Sequence, residues 1–73
     1  MAKENVEVPI TGKIISIEVK VGDSVKEGDV LCYIESMKME NPIQAPVSGR
    51  VTQLVGKVGE VVEAGKPLAT IEY

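Results

Sequence analysis

Residues 8–35 read VPITGKIISIEVKVGDSVKEGDVLCYIE, and 37 positions further on residues 45–72 read APVSGRVTQLVGKVGEVVEAGKPLATIE. Aligning the two needs no gap. Pro9 falls on Pro46, Gly12 on Gly49, Lys20-Val21-Gly22 on Lys57-Val58-Gly59, and Gly28 on Gly65. Val25, Leu31, Ile34 and Glu35 fall likewise on Val62, Leu68, Ile71 and Glu72, and other differences are mostly mild, such as Ile14 to Val51 or Lys13 to Arg50. Val-rich strands can resemble one another by chance, but a proline and three glycines in register mark an internal duplication. Its halves lie at about residues 8–36 and 45–73.

Each half reads as strands. Val and Ile dominate, Phe and Trp are absent, and turn residues recur at short intervals. Ile15, Ile17, Val19 and Val21 alternate with Ser16, Glu18 and Lys20, which predicts one face inward and the other in water. Gly22-Asp23 and Gly28-Asp29 leave room for only a short strand around Val25 before the next, Val30 to Glu35. Seven glycines and four prolines interrupt every stretch long enough for a helix. The polar segment Met1 to Asn5 is expected to be loose. Two four-strand units, neither able to close a core alone, should pack around a pseudo-two-fold axis. The predicted fold is all-β, a flattened barrel or sandwich of two four-stranded antiparallel sheets, with Val25 and Val62 at the corners where the chain changes sheet.

At 73 residues the chain is expected to form one domain, near the lower limit at which a hydrophobic core suffices. Cys32 is the sole cysteine and there is no histidine, so no intrachain disulfide can form and a zinc site has no ligand set. Cys32 is read as a small apolar residue inside a strand. The net charge of −3 and the lack of a basic stripe argue against nucleic acid as a partner. No apolar run is long enough to span a bilayer and no charged-then-apolar leader is present, so direct membrane insertion is not expected and a cytoplasmic setting is.

Between the halves stands ESMKMEN, Glu35 to Asn41, with Lys38 between Met37 and Met39. It has neither strand alternation nor helical spacing, and Asn41-Pro42 closes it. The prediction is a presented hairpin joining the halves, with strands near Val30 to Glu35 and Glu40 to Gln44. By the repeat, the counterpart of Lys38 would be position 75, just past Tyr73. The Lys38 loop and the chain termini should therefore occupy equivalent places at opposite ends. Lys38 is poorly suited to catalysis of its own. An ordinary lysine amine is neutral in roughly one molecule in 2,500 at pH 7; catalytic lysines overcome this by burial or a neighbouring cation, and the near charges here are the carboxylates of Glu35 and Glu40. A lysine acylated by another enzyme need only be exposed, held in place and distinguishable from the other six lysines. A rigid hairpin tip meets those conditions, and methionines suit an adaptable binding surface.

ESMKMEN, with Pro9-x-x-Gly12 and Val21-Gly22-Asp23-x-Val25-x-x-Gly28-Asp29 upstream and Ala45-Pro46-x-x-Gly49 downstream, resembles the biotinyl domains of biotin-dependent carboxylases and decarboxylases. The resemblance covers Val8 to Glu72. It implies that Lys38 carries covalent biotin attached by biotin protein ligase, and that the fold is a flattened barrel of two four-stranded sheets. It also implies a shuttle, in which the biotin arm carries a carboxyl group from a biotin carboxylase to a carboxyltransferase or decarboxylase, while this chain, not itself an enzyme, supplies presentation and reach. Met37 and Met39 are assigned to recognition by ligase and partners. Glu35 and Glu40 are candidates for the same role, although Glu35 has a counterpart in Glu72 where no modification site exists. Three features depart from the family pattern: Ser36 stands where alanine is commoner, Pro42 follows the loop closely, and no protruding thumb separates the early strands. A lipoyl carrier of a 2-oxoacid dehydrogenase would use the same fold and lysine, but typically with an acidic and a small residue flanking it, and Ser36 leaves room for a dual biotin/lipoyl attachment protein. An unmodified module for protein contacts would leave Met37-Lys38-Met39 without a purpose.

Overall fold

The glycine-punctuated Val and Ile runs become eight strands in a computed structural model, which describes residues 2–73. They are β1 Lys3–Glu7, β2 Gly12–Ile17, β3 Ser24–Val25, β4 Val30–Ser36, β5 Met39–Gln44, β6 Gly49–Leu54, β7 Val61–Val62 and β8 Pro67–Glu72. Two four-stranded sheets result, ordered β1-β8-β6-β3 and β5-β4-β2-β7, with every pairing antiparallel. The expected all-β fold and its pseudo-two-fold symmetry are both present. Shifting by 37 positions carries β2 onto β6 and β3 onto β7 residue for residue, and it converts the order of one sheet into that of the other. Neither half makes a sheet of its own. Once the repeat is extended to take in β1 and β5, the halves are β1–β4 and β5–β8, and each sheet takes the first and third strands of one half and the second and fourth of the other, so the halves are interleaved and neither can leave without dismantling both sheets. Among the described residues no helix is long and apolar enough to cross a membrane.

The turns follow from glycine and acid side chains acting together. The Asp23 N–H donates to the Lys20 carbonyl at 3.0 Å, with Gly22 at φ 100°, a type II turn whose third position only glycine adopts freely. The Asp23 carboxylate then accepts the Lys20 N–H at 2.9 Å. Lys26 and Asp29 repeat both bonds at 2.9 Å. In the second half Lys57 and Glu60 do so at 3.0 Å, with glutamate in place of aspartate. These paired turns swing the chain from sheet to sheet through β3 and β7. Val25 is buried at its corner, whereas Val62 is only half-buried.

The core between the sheets holds Val8, Ile14, Leu31, Ile34, Val51 and Ile71, none more than 1% exposed, and among the described residues no polar side chain is buried. Two sequence expectations change. Ile15 is not the inward residue of β2. The register shifts between Ile14 and Ser16, so Ile14 becomes fully buried and Ile15 half-buried, and the same irregularity recurs between Val51 and Gln53. A one-residue slip exchanges the faces of a strand. Ile17 and Val19 pack against the core, but Val21 lies at the turn and is exposed. The second correction concerns the segment expected to be loose: Lys3–Glu7 forms β1, the edge strand beside β8. Main-chain bonds hold it whatever its side chains, and Val6 and Val8 anchor it from below. Met1 lies outside the described residues.

Cys32 lies in β4, buried and free, and desolvation pushes its thiol up to about 11. Such a thiol is protonated and unreactive at neutral pH.

Candidate functional site: the β4–β5 hairpin

β4 is the second strand of its sheet, flanked by β2 and β5, and its Leu31, Cys32 and Ile34 are locked in the core. That anchorage carries the chain outward to Ser36. Ser36 pairs with Met39 across the last rung, so the loop itself is only Met37 and Lys38. Met39 therefore belongs to β5, not to the loop. Both loop residues are left-handed, at φ 54° and 65°, the arrangement of a type I′ hairpin turn, for which Asn-Gly is the favoured pair. Methionine and lysine occupy it against their own preference. The turn is tight because its two strands meet in register, and no residue is left over for a wider loop.

The base of the hairpin is held by a close approach. A Cβ on Gly12 would run into the Glu35 carbonyl oxygen and lie 2.7 Å from Ile34 Cγ2, and Gly49 meets Glu72 and Ile71 in the same way. β2 and β4 thus close on each other below the tip. On the other side, Asn41 of β5 donates from Nδ2 to the Ile34 carbonyl and to the Met39 carbonyl, both at 3.2 Å. The repeated glycine was visible in the sequence; the Asn41 contacts were not, because only the β4–β5 register brings those carbonyls to it.

Lys38 is exposed at the apex, with Met37 89% and Met39 66% exposed on either side. The structure thus brings together Lys38, Met37 and Met39 at one tip. Glu35 and Glu40 pair directly one rung below, both exposed, and Lys13 faces Glu35 from β2. At the opposite end of the molecule the equivalent row is Arg50, Glu72 and Lys3. There the acid lies between two cations, whereas at the Lys38 end Glu40 replaces one of them. The two ends share a backbone frame and differ in charge. The termini complete the comparison: Ala2 and Tyr73 exchange two 2.8 Å main-chain bonds in the place that Met39 and Ser36 occupy beneath Lys38. The register leads from Lys38 through Lys13–Glu35 and Gln44–Val30 to Gly49–Val25 and finally Lys3–Glu72, so the tip and the termini lie at opposite ends of a body measuring 37 × 18 × 17 Å.

Chemically, the tip offers a primary amine in water on a fixed backbone, a donor suited to covalent attachment of a carboxylic acid. A model of the biotin-requiring enzyme family matches residues 4–71. The chain belongs to that family. As one of its members it is a biotinyl carrier domain, whose cofactor is biotin. It is 55% identical over 38 residues to the glutaconyl-CoA decarboxylase subunit gamma of Acidaminococcus fermentans, a match covering 52% of this chain and 26% of that one. With the methylmalonyl-CoA decarboxylase subunit gamma of Veillonella parvula it shares 48% over 40 residues, covering 55% and 31%. The crystal structure of Kluyveromyces lactis urea carboxylase contains the same fold, with a TM-score of 0.91 and 36% identity over 99% of this chain but 6% of that one. The chain thus spans less than a third of the length of each of these proteins.

Proposed function

We propose that Lys38 is the residue to which biotin is attached, and that the 73-residue unit presents the loaded arm to the enzymes that charge and use it. The observation that carries this reading is the exposed amine at the apex of a two-residue left-handed turn, in a chain of the biotin-requiring family. Exposure alone does not single it out, since the other six lysines are exposed too. Position does: Lys38 stands alone at a hairpin tip between two exposed methionines. A ligase of the biotin protein ligase class joins Nζ to the activated carboxyl carbon of biotin, forming an amide and releasing the activating group and a proton. Met37 and Met39 give that ligase and later partners a soft apolar grip, and the facing Glu35–Glu40 carboxylates distinguish this end of the molecule from the Lys3–Glu72 end.

Attached biotin supplies a ureido nitrogen that carries a carboxyl group; the chain's own residues hold the arm clear of the body. The partners this implies are a biotin carboxylase and a carboxyltransferase or decarboxylase, in the cytoplasm, and the choice of acceptor rests with them. The decarboxylase gamma subunits and the urea carboxylase among its relatives support partners of this kind.

Intact mass measured after incubation with ATP, biotin and biotin protein ligase tests the site. One biotinyl addition is expected, and none on Lys38→Arg. Addition to the arginine variant would remove Lys38 from the site. Lipoyl addition alone, in a parallel incubation with lipoate and its ligase, would transfer the function to 2-oxoacid dehydrogenases.

A further inference from the structure

The internal duplication supplies a control within the molecule. Because the two ends share one backbone frame, a residue needed only for the frame should have an equivalent at both, and a residue needed for the Lys38 tip should stand alone. Asn41 stands alone in this sense. Its counterpart is Glu4, which pairs with Ile71 as Asn41 pairs with Ile34. A carboxylate has no N–H to give, and no turn has to be held between Ala2 and Tyr73.

The two carbonyls that Asn41 reaches are not arbitrary. Met39 belongs to the rung that closes the turn, Ser36 to Met39, and Ile34 to the rung Ile34 to Asn41, with Glu35–Glu40 between them. The pattern of mutual bonds at Ala2–Tyr73 fixes both as hydrogen-bonded pairs, in which each carbonyl already accepts a main-chain N–H from the facing strand. The Asn41 amide supplies a further donor to each. One side chain therefore ties the turn-closing rung to the rung beneath it, across an intervening pair of like charges that work against the hairpin. Directly above are two residues, Met37 and Lys38, in a backbone region they disfavour.

We infer that Asn41 is a positioning residue for the modification of Lys38: its side-chain amide holds the hairpin closed so that the left-handed Met37–Lys38 turn is the populated form that a ligase meets. The inference rests on the reading of Lys38 as the biotinylation site. Without the amide the tip opens among several conformations, and a partner that binds only the closed form sees its affinity reduced by the closed fraction. Binding then suffers, while the chemistry on a correctly bound chain does not.

The test combines ligase kinetics with the free protein's own backbone. In Asn41→Ala, KM for the chain as ligase substrate should rise about five- to tenfold, the scale of a net hydrogen-bond loss, with kcat within about twofold. In the unmodified, ligand-free protein, the backbone chemical shifts and HN–Hα couplings of Met37 and Lys38 should lose their left-handed signature. Asn41→Thr keeps strand propensity but is too short to reach both carbonyls; it carries the same expectation should the alanine variant not fold. In a Met37→Asn background, where asparagine favours the turn, the further effect of Asn41→Ala on KM should shrink. A raised KM with the left-handed signature retained would mean that Asn41 touches the ligase directly and would overturn the inference; so would unchanged KM and unchanged shifts. Biotinylation of Lys38→Arg would defeat the site assignment instead, and the shifts of the free protein would still decide whether Asn41 holds the turn.

Discussion

Glu35 and Glu40 face each other across a rung directly below Lys38, an arrangement that weakens a sheet unless something answers it. Lys13 answers on one side only. At the far end Lys3 stands in Glu40's place and the conflict is gone. Met37, Lys38, Met39 and Glu40 are thus the residues at which the two ends part company, and they are the ones the sequence already set apart, since nothing in the repeat accounts for them. Asn41 belongs with them but could not be read beforehand, because its partners are carbonyls whose position depends on strand register. Cys32, one turn of the pleat away, illustrates the opposite case of a residue with a scaffold role alone. Burial raises its thiol to about 11 from 9.0, so the folded state holds that proton more tightly than the unfolded chain does. Its contribution is constant below pH 9 and is lost as pH climbs through about 11. Denaturant melts across that range should show wild type losing stability relative to Cys32→Val; parallel curves would contradict the burial argument.

At the scale of elements, the hairpin owes its shape to β2 as much as to β5. Gly12 lets β2 approach Glu35 and Ile34, as Gly49 lets β6 approach Glu72 and Ile71. An added methyl must push the neighbouring strand away, at about 1–3 kcal/mol. Gly12→Ala and Gly49→Ala should therefore lower thermal stability to a similar degree, yet only Gly12→Ala should slow biotinylation, because only it displaces the strand that carries Lys38. Paired melting curves and ligase rates decide this; equal loss of modification in both would show that general softening, not hairpin position, limits the reaction. The glycine pair was legible as a repeated residue in the sequence. The irregularity at Ile15 was not, since a strand with apolar residues at both Ile14 and Ile15 reads equally well in either face assignment, and only pairing with β4 chooses between them.

Across the whole molecule, stability is shared by interleaved halves. A domain of this length is stable by roughly 4–11 kcal/mol, and truncating a fully buried isoleucine costs about 2–5 kcal/mol. Ile34→Ala and Ile71→Ala, at equivalent core positions with 0% exposure, should each remove a large and similar part of that in urea unfolding. A marked inequality would mean that one end of the barrel carries the other. The eight strands and their symmetry could be foreseen from the duplication, whereas the interleaving could not: a repeat states that two units are alike, not which strands of each share a sheet. That arrangement also sets a distance. Ala2 and Tyr73 are bonded to each other at the end remote from Lys38, so any tether joined at either terminus holds the amine across a body 37 Å long. A random-coil linker gains length only as the square root of its residue number, about 5–6 Å for each unit of that root, so matching this span takes on the order of 40–50 flexible residues. The barrel is in effect a rigid boom, and under the proposed function two active sites served from its tip can stand much farther apart than the biotin arm alone would reach.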